Sequence, residues 1–247
     1  MKVRLDRLLV ARGLAESREK AQAMIMAGEV TIGGRKAEKS GQGVAEDVAV
    51  EVLARPPYVS RGGFKLAAAL DGFGVRVDGR VAMDVGSSTG GFTDVLLQRG
   101  AARVHAVDVG VGQLDWKIRN HPRVVVHEGL NARFLAPGDI GEPLDLITMD
   151  VSFISVTLIL PAVVPLLRSG GEMVILVKPQ FEVGKGQVGK GGIVRDPELH
   201  RAACDRIDAA VKQSGFRTRL MESPILGTEG NKEFLLYAGD SEGRDHQ

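Results

Sequence analysis

The chain has 247 residues, with 32 Lys and Arg against 31 Asp and Glu, a net charge of +1. A balance that close excludes a uniformly basic protein, so any surface for a polyanion must be a local patch. A single cysteine, Cys204, excludes an intrachain disulfide framework and fits a reducing compartment. The charged N-terminus does not read as a secretory signal, and no run approaches the roughly 20 apolar residues of a membrane span. The sequence therefore reads as that of a cytoplasmic globular protein.

Residues 1–52 read as a small basic α+β module. Leu5, Leu8 and Leu9 share a helical face that ends near Gly13. Ser17 caps a second helix with Ala21, Met24 and Ile25 turned inward, stopped at Gly28. Val30-Thr31-Ile32 then enters a Gly33-Gly34 turn as a strand. Residues 1–39 hold nine basic and five acidic side chains, an excess of four. On charge alone, a solvated surface and a nucleic-acid face stand level. Residues 53–60, with Pro56-Pro57, read as an extended linker. Residues 61–240 form the second domain, and 241–247 a polar tail.

In that second domain strands and helices alternate, as in an α/β fold with a mostly parallel sheet. The expected strands are Val81–Val85, Arg103–Val107, Val124–Val126, Leu144–Met149, Met173–Val177, Arg217–Met221 and Phe234–Tyr237. The expected helices are Gly90–Gln98, Gln113–Arg119, Val156–Leu167 and Glu198–Gln213. Seven strands with an antiparallel end is the count of the Rossmann-like methyltransferase sheet.

Val81-Ala-Met-Asp84-Val-Gly86-Ser-Ser88-Thr-Gly90-Gly91-Phe92 is a strand, a glycine-rich loop and a helix start. The glycines fall as Gly-x-x-x-Gly-Gly, not as the Gly-x-Gly-x-x-Gly of dinucleotide enzymes. Asp84 near the strand end suits a ligand carrying an amino group. Asp108 follows the next strand, 22 residues after Gly86, where a carboxylate can accept from ribose hydroxyls. Asn131, after the third strand, is a candidate for the adenine edge; a plain loop asparagine is nearly as good a reading. Ammonium, ribose diol and no phosphate is what S-adenosylmethionine presents. Gly184-Lys-Gly-Gln-Val-Gly189-Lys190-Gly191 imitates a phosphate loop, but it lacks the Ser or Thr that holds magnesium. No metal set is evident. Asp150 and Lys178 each directly follow an apolar strand, which places them on the ligand-binding rim. Spacing alone leaves Lys65 and Glu233 as surface charges.

Arg4-Leu-Asp6, Gly13-Leu, Ser17-Arg18, Ala21, Ile25, Gly28-x-Val30-x-Ile32-x-Gly34 and Lys39-x-Gly41 resemble the RNA-binding module named after ribosomal protein S-four. Ser60-Arg-Gly-Gly-Phe-Lys65-Leu66, Asp84-Val-Gly-Ser-Ser-Thr-Gly-Gly-Phe-Thr93, Asp150-Val-Ser-Phe-Ile-Ser155 and Val177-Lys-Pro-Gln-Phe-Glu182 resemble the TlyA family of rRNA 2′-O-methyltransferases, whose catalytic domain is FtsJ-type. That resemblance implies S-adenosylmethionine as cofactor and ribosomal RNA or ribosomal subunits as partner. It further implies cytidine as the modified nucleotide and a tetrad of Lys65, Asp150, Lys178 and Glu233. Lys178 would be the base, Lys65 the neighbouring cation, and the two carboxylates would orient them. The family also carries a haemolysin label. Rival readings are an RNA-binding or ribosome-assembly factor with a silent catalytic domain, and a membrane-active protein, which the lack of a long amphipathic basic helix opposes.

Overall fold

The computed structural model describes residues 2–53, 56–227 and 229–239, so the expected tail 241–247 lies outside the described residues. The chain divides into two compact units, 1–57 and 58–247.

The first unit opens with β1 (Lys2–Arg4), α1 (Leu5–Ala11) and α2 (Arg18–Met26), followed by β2 (Val30–Ile32), β3 (Arg35–Lys36), β4 (Gly43–Ala45) and β5 (Val50–Val52). Its strands pair in the order β3-β2-β5, with β1 against β4. Leu5, Leu8, Leu9, Ala21, Ile25 and Val30 close a core between helices and sheet. Ser17 caps α2 by accepting from the Lys20 N–H, as its position predicts. Asp6 is buried and gathers Arg4, Arg18 and Gln22 around one carboxylate. The Arg4 guanidinium holds that carboxyl well below the ordinary aspartate range, against the opposing pull of burial.

The second unit starts with α3 (Gly62–Phe73) and β6 (Val81–Val85), then α4 (Gly91–Gln98), β7 (Arg103–Asp108), α5 (Trp116–Arg119) and β8 (Val124–Glu128). It continues through α6 (Pro137–Ile140), β9 (Leu144–Met149), α7 (Leu160–Val163), β10 (Leu167–Val177) and α8 (Pro179–Glu182). It ends on α9 (Pro197–Gln213), β11 (Arg217–Glu222) and β12 (Phe234–Gly239). The sheet order is β11-β12-β10-β9-β6-β7-β8. β12 runs antiparallel to both of its neighbours, while β10, β9, β6, β7 and β8 are parallel. From β6 the chain builds outward to β8; it then returns to the other side of β6 with β9. The order thus reverses between β6 and β9, and ligands bind outside the carboxyl ends of strands at such a switch point.

Strand periodicity divides the core into two layers. Met83, Val85, Ile147, Met149, Ile175 and Val177 face Ile207 and Val211 of α9. Ala82, Ala106, Leu146, Val174 and Leu176 face Leu66 and Leu70 of α3 and Val95 and Leu96 of α4.

The seven expected strands are present, and two of the expected helices need correction. The stretch 156–167 is not one helix: a 3₁₀ turn (Val156–Leu158), α7 and a second 3₁₀ turn (Val164–Leu166) follow each other, and β10 starts at Leu167. Pro161 and Pro165 each remove a backbone donor and crowd the preceding turn. The helix expected over 113–119 begins only at Trp116, capped by Asp115, because Gly112 at φ +73 turns the chain just before it. α3 is an addition to the expected helices, and Ser60-Arg-Gly-Gly-Phe-Lys65 runs into its first turn. Among the described residues no helix is long and apolar enough to cross a membrane.

Candidate active site

The rim at the switch point carries two adjoining cavities, of about 430 Å³ and about 350 Å³, which share Gly86, Ser88, Asp150 and Ser152. The first is lined by two cation–carboxylate pairs. Lys178 Nζ lies 2.6 Å from Asp150 Oδ1 and donates to Ser152 Oγ at 2.9 Å. Lys65 Nζ donates to Glu233 Oε2 at 2.5 Å, with Lys65 8% exposed and Glu233 3% exposed. The sheet explains the convergence. Asp150 and Lys178 follow parallel β9 and β10, whereas Glu233 precedes antiparallel β12, whose start lies where its neighbours end: Val177 pairs with Phe234. Lys65 reaches the same cavity from the first turn of α3.

The glycine-rich loop forms the floor. Gly86, at φ +81, could not carry a side chain, since a Cβ would stand 2.4 Å from the Asp150 carbonyl oxygen. A Cβ on Gly91 would meet Ser60 Oγ at 2.1 Å. Gly91 and Phe92 line the first cavity; Gly90 lines neither and instead caps α4 in the left-handed conformation.

The second cavity is lined by Val107, Asp108, Gln113, Leu130, Asn131 and Ile159, among others, and by no Lys, Arg or His. Asp108 accepts from the Ser88 N–H and the Gly110 N–H, both at 2.7 Å. Each carboxylate oxygen keeps a lone pair for a further donor. Asn131 Oδ1 accepts from the Arg133 N–H, so this residue caps a turn while lining the cavity. A cavity with a carboxylate, an amide and apolar walls fits a nucleoside with a free diol. It does not fit a pyrophosphate, for which it offers no cation. S-adenosylmethionine would be held by Asp108, Asn131 and the backbone of the glycine loop.

Asp84 does not lie where its position before the loop suggested. It is 0% exposed and lines neither cavity. It faces α4, accepting from Thr93 Oγ1 at 2.7 Å and Thr148 Oγ1 at 3.3 Å. Burial, assisted by the charge of Asp150 and opposed by the Thr93 hydrogen bond, pushes its carboxyl up to about 7.

Two further residues line the site, Ser152 and then Phe153, neither marked by charge or spacing in the sequence. Phe153 is 90% exposed, holds φ +65, and has its ring 5.0 Å from that of Phe181. A phenylalanine in the left-handed region carries no mark in the sequence.

A seven-stranded sheet of this order, with a glycine loop and an acidic cavity at its switch point, defines a methyltransferase of the S-adenosylmethionine-dependent fold. The FtsJ-like methyltransferase model matches residues 58–240, and the S4 domain model matches residues 3–50. The chain belongs to the FtsJ-like methyltransferase family, with an S4 domain before the catalytic one. It is 47% identical over 239 residues to the 16S/23S rRNA (cytidine-2′-O)-methyltransferase TlyA of Mycobacterium tuberculosis, covering 96% of this chain and 89% of that protein. It is 40% identical over 237 residues to Hemolysin A of Brachyspira hyodysenteriae, covering 95% of this chain and 99% of that one. A solved structure of a hemolysin-named protein from Streptococcus thermophilus superposes with a TM-score of 0.74 at 42% identity, over 98% of this chain and 90% of that one.

Proposed function

We propose that this protein methylates the ribose 2′-hydroxyl of a cytidine in ribosomal RNA, within the cytoplasm, with S-adenosylmethionine as donor and the Lys65-Asp150-Lys178-Glu233 group as its proton-handling machinery. The observation that carries the reading is the pair of lysine–carboxylate contacts facing one cavity beside the ribose-type site. A ribose hydroxyl is a poor nucleophile at neutral pH and must shed its proton as the methyl group arrives. S-adenosylmethionine, when bound, supplies an electrophilic methyl group on a sulfonium.

The chain's own residues do the rest. Lys178 Nζ takes the hydroxyl proton, and Asp150 Oδ1 beside it holds the resulting ammonium. Lys65 offers a second positive charge to the developing oxyanion, and Glu233 fixes the direction of its ammonium. Ser152 restrains Lys178 from the other side. Holding hydroxyl and donor in one pocket supplies much of the acceleration. The S4 domain adds affinity for folded RNA through its local excess of basic residues, a contribution that falls with salt.

The test is transfer of a tritiated methyl group to rRNA or ribosomal subunits, with cofactor affinity measured on the same preparation. Lys178→Ala lowers turnover by about 10²–10⁴-fold while both ligands still bind. Lys178→Arg does not restore it, because a guanidinium keeps its proton. Turnover of the alanine variant at the unmodified rate would remove Lys178 from the role of base. Mapping 2′-O-methyl groups in rRNA from cells with and without the gene identifies the nucleotide.

A further inference from the structure

Asp150 and Lys178 end neighbouring strands, yet the loops that follow them are joined a second time, away from the cavity, by Glu182. This residue closes α8, the short helix that begins directly after Lys178. Its side chain is 4% exposed and lines neither cavity. It reaches instead across to the segment that follows β9. Glu182 Oε2 accepts from Ser155 Oγ at 2.6 Å, and Oε1 accepts from the Val156 N–H at 2.9 Å. Ser155 is itself the cap of the 3₁₀ turn Val156–Leu158. Behind it, the Glu182 carbonyl accepts from Arg206 Nη1 of α9 at 2.9 Å, which ties α8 to the helical layer.

The segments 150–156 and 178–182 are therefore stitched at both ends. At the cavity, Lys178 meets Asp150 and Ser152. Away from it, Glu182 meets Ser155 and Val156. Between the stitches Phe153 keeps its positive φ while its ring rests near that of Phe181. A non-glycine residue in that region is strained and persists only where its surroundings over-determine it. Burial pushes the Glu182 carboxyl above the ordinary glutamate range, so its charge is held there at a cost. What the carboxylate provides is two acceptors at fixed spacing, one for a hydroxyl and one for a backbone N–H.

We propose that Glu182 is a positioning residue for methyl transfer: its two-point bridge to Ser155 and Val156 fixes the loop carrying Asp150 and Ser152 against the strand end carrying Lys178. The proposal rests on the role given above to Lys178. Glu182 acts through that loop and touches neither substrate nor cofactor.

The experiment uses the full chain and four variants: Glu182→Ala, Glu182→Gln, Ser155→Ala and, alongside, Lys178→Ala. Single-turnover methyl transfer to rRNA, S-adenosylmethionine affinity by calorimetry and melting temperature are read on each. A displacement of the order of 1 Å in a reacting group costs about 10²-fold in rate, and that is the loss expected for Glu182→Ala, with cofactor affinity changed by less than about tenfold. Glu182→Gln keeps an acceptor for the Val156 N–H and a partner for the Ser155 hydroxyl, so it returns to within about fivefold of the unmodified rate. A merely structural role would lower melting temperature and cofactor affinity together with the rate. An unchanged rate in Glu182→Ala, or a glutamine variant as slow as the alanine one, overturns the proposal. Should Glu182→Ala fail to fold, Ser155→Ala decides: a loss of about tenfold or more supports the bridge, and an unchanged rate overturns it. Normal turnover of Glu182→Ala beside an inactive Lys178→Ala refutes the positioning role alone. Normal turnover of Lys178→Ala refutes the reading on which it rests.

Discussion

Replacing Asp84 with asparagine should change how stability depends on pH more than it changes cofactor binding. The carboxyl is fully enclosed beneath α4, and burial raises it from the ordinary aspartate value of 3.8 to about 7. Between those two values the folded protein binds a proton that the unfolded chain has released. Stability from this group is therefore complete below the unfolded value and is lost as pH rises to the folded one, at about 1.4 kcal/mol per pH unit. The whole rise corresponds to on the order of 4 kcal/mol. Asparagine does not titrate and retains hydrogen-bonding atoms for Thr93 and Thr148. Urea unfolding of both proteins at fixed ionic strength, from pH 5 to 7.5, should show the wild type losing about 3 kcal/mol relative to the variant. Cofactor affinity should change by less than the 1.5–3 kcal/mol or so expected if Asp84 itself held the ligand's ammonium. A stability gap that stays constant with pH, or a cofactor affinity that collapses, would refute the reasoning.

The remaining tests are independent of that one. Lys65→Met should destabilise the protein by about 3–5 kcal/mol, because Glu233 is left buried and unpaired, while Lys65→Met with Glu233→Leu should cost less; thermal melts of single and double variants decide it. Asp108→Ala should weaken S-adenosylmethionine binding by about tenfold or more in calorimetry, since it removes an acceptor and frees the Ser88 and Gly110 N–H groups that shape the loop. Burial pushes the Cys204 thiol up to about 12, so labelling by a thiol reagent at pH 8 should follow unfolding; rapid labelling of the native protein contradicts this. Burial first, and His105 second, lower the pKa of His127. Its contribution is present above about pH 6.5 and declines as pH falls, and His127→Gln should flatten that limb of the stability profile.

The residues that were legible in the sequence are those whose place follows from strand direction alone. Gly86, Asp108, Asp150 and Lys178 each come just after or at the end of a parallel strand, and parallel strands deliver their carboxyl ends to one rim. Glu233 obeys the same rule with the sign reversed. Because β12 is antiparallel, the residue before it lies beside the residue after β10, and Lys178 and Glu233 become neighbours by register. An apolar run does not announce its direction, so spacing could not supply that step; the family resemblance did. Lys65 was hidden for another reason: its helix opens on Gly62 and Gly63, poor helix formers, and was not among the expected elements, although Leu66, Leu70 and Phe73 repeat at helical spacing and pack into the core. The tight approach of Tyr58 to Gly63, 2.4 Å from where a Cβ would stand, is what glycine serves there. The run 156–167 failed in the opposite sense, as apolar content outweighed two prolines that a helix could not carry. Asp84 could have been placed correctly from the sequence. Alternation along Val81–Val85 puts it on the face of Ala82, which is the α4 face, one residue short of the point where the strand releases its chain to the rim. Being near a loop in sequence and being turned toward the ligand are separate conditions. In a buried strand the period of two decides the second.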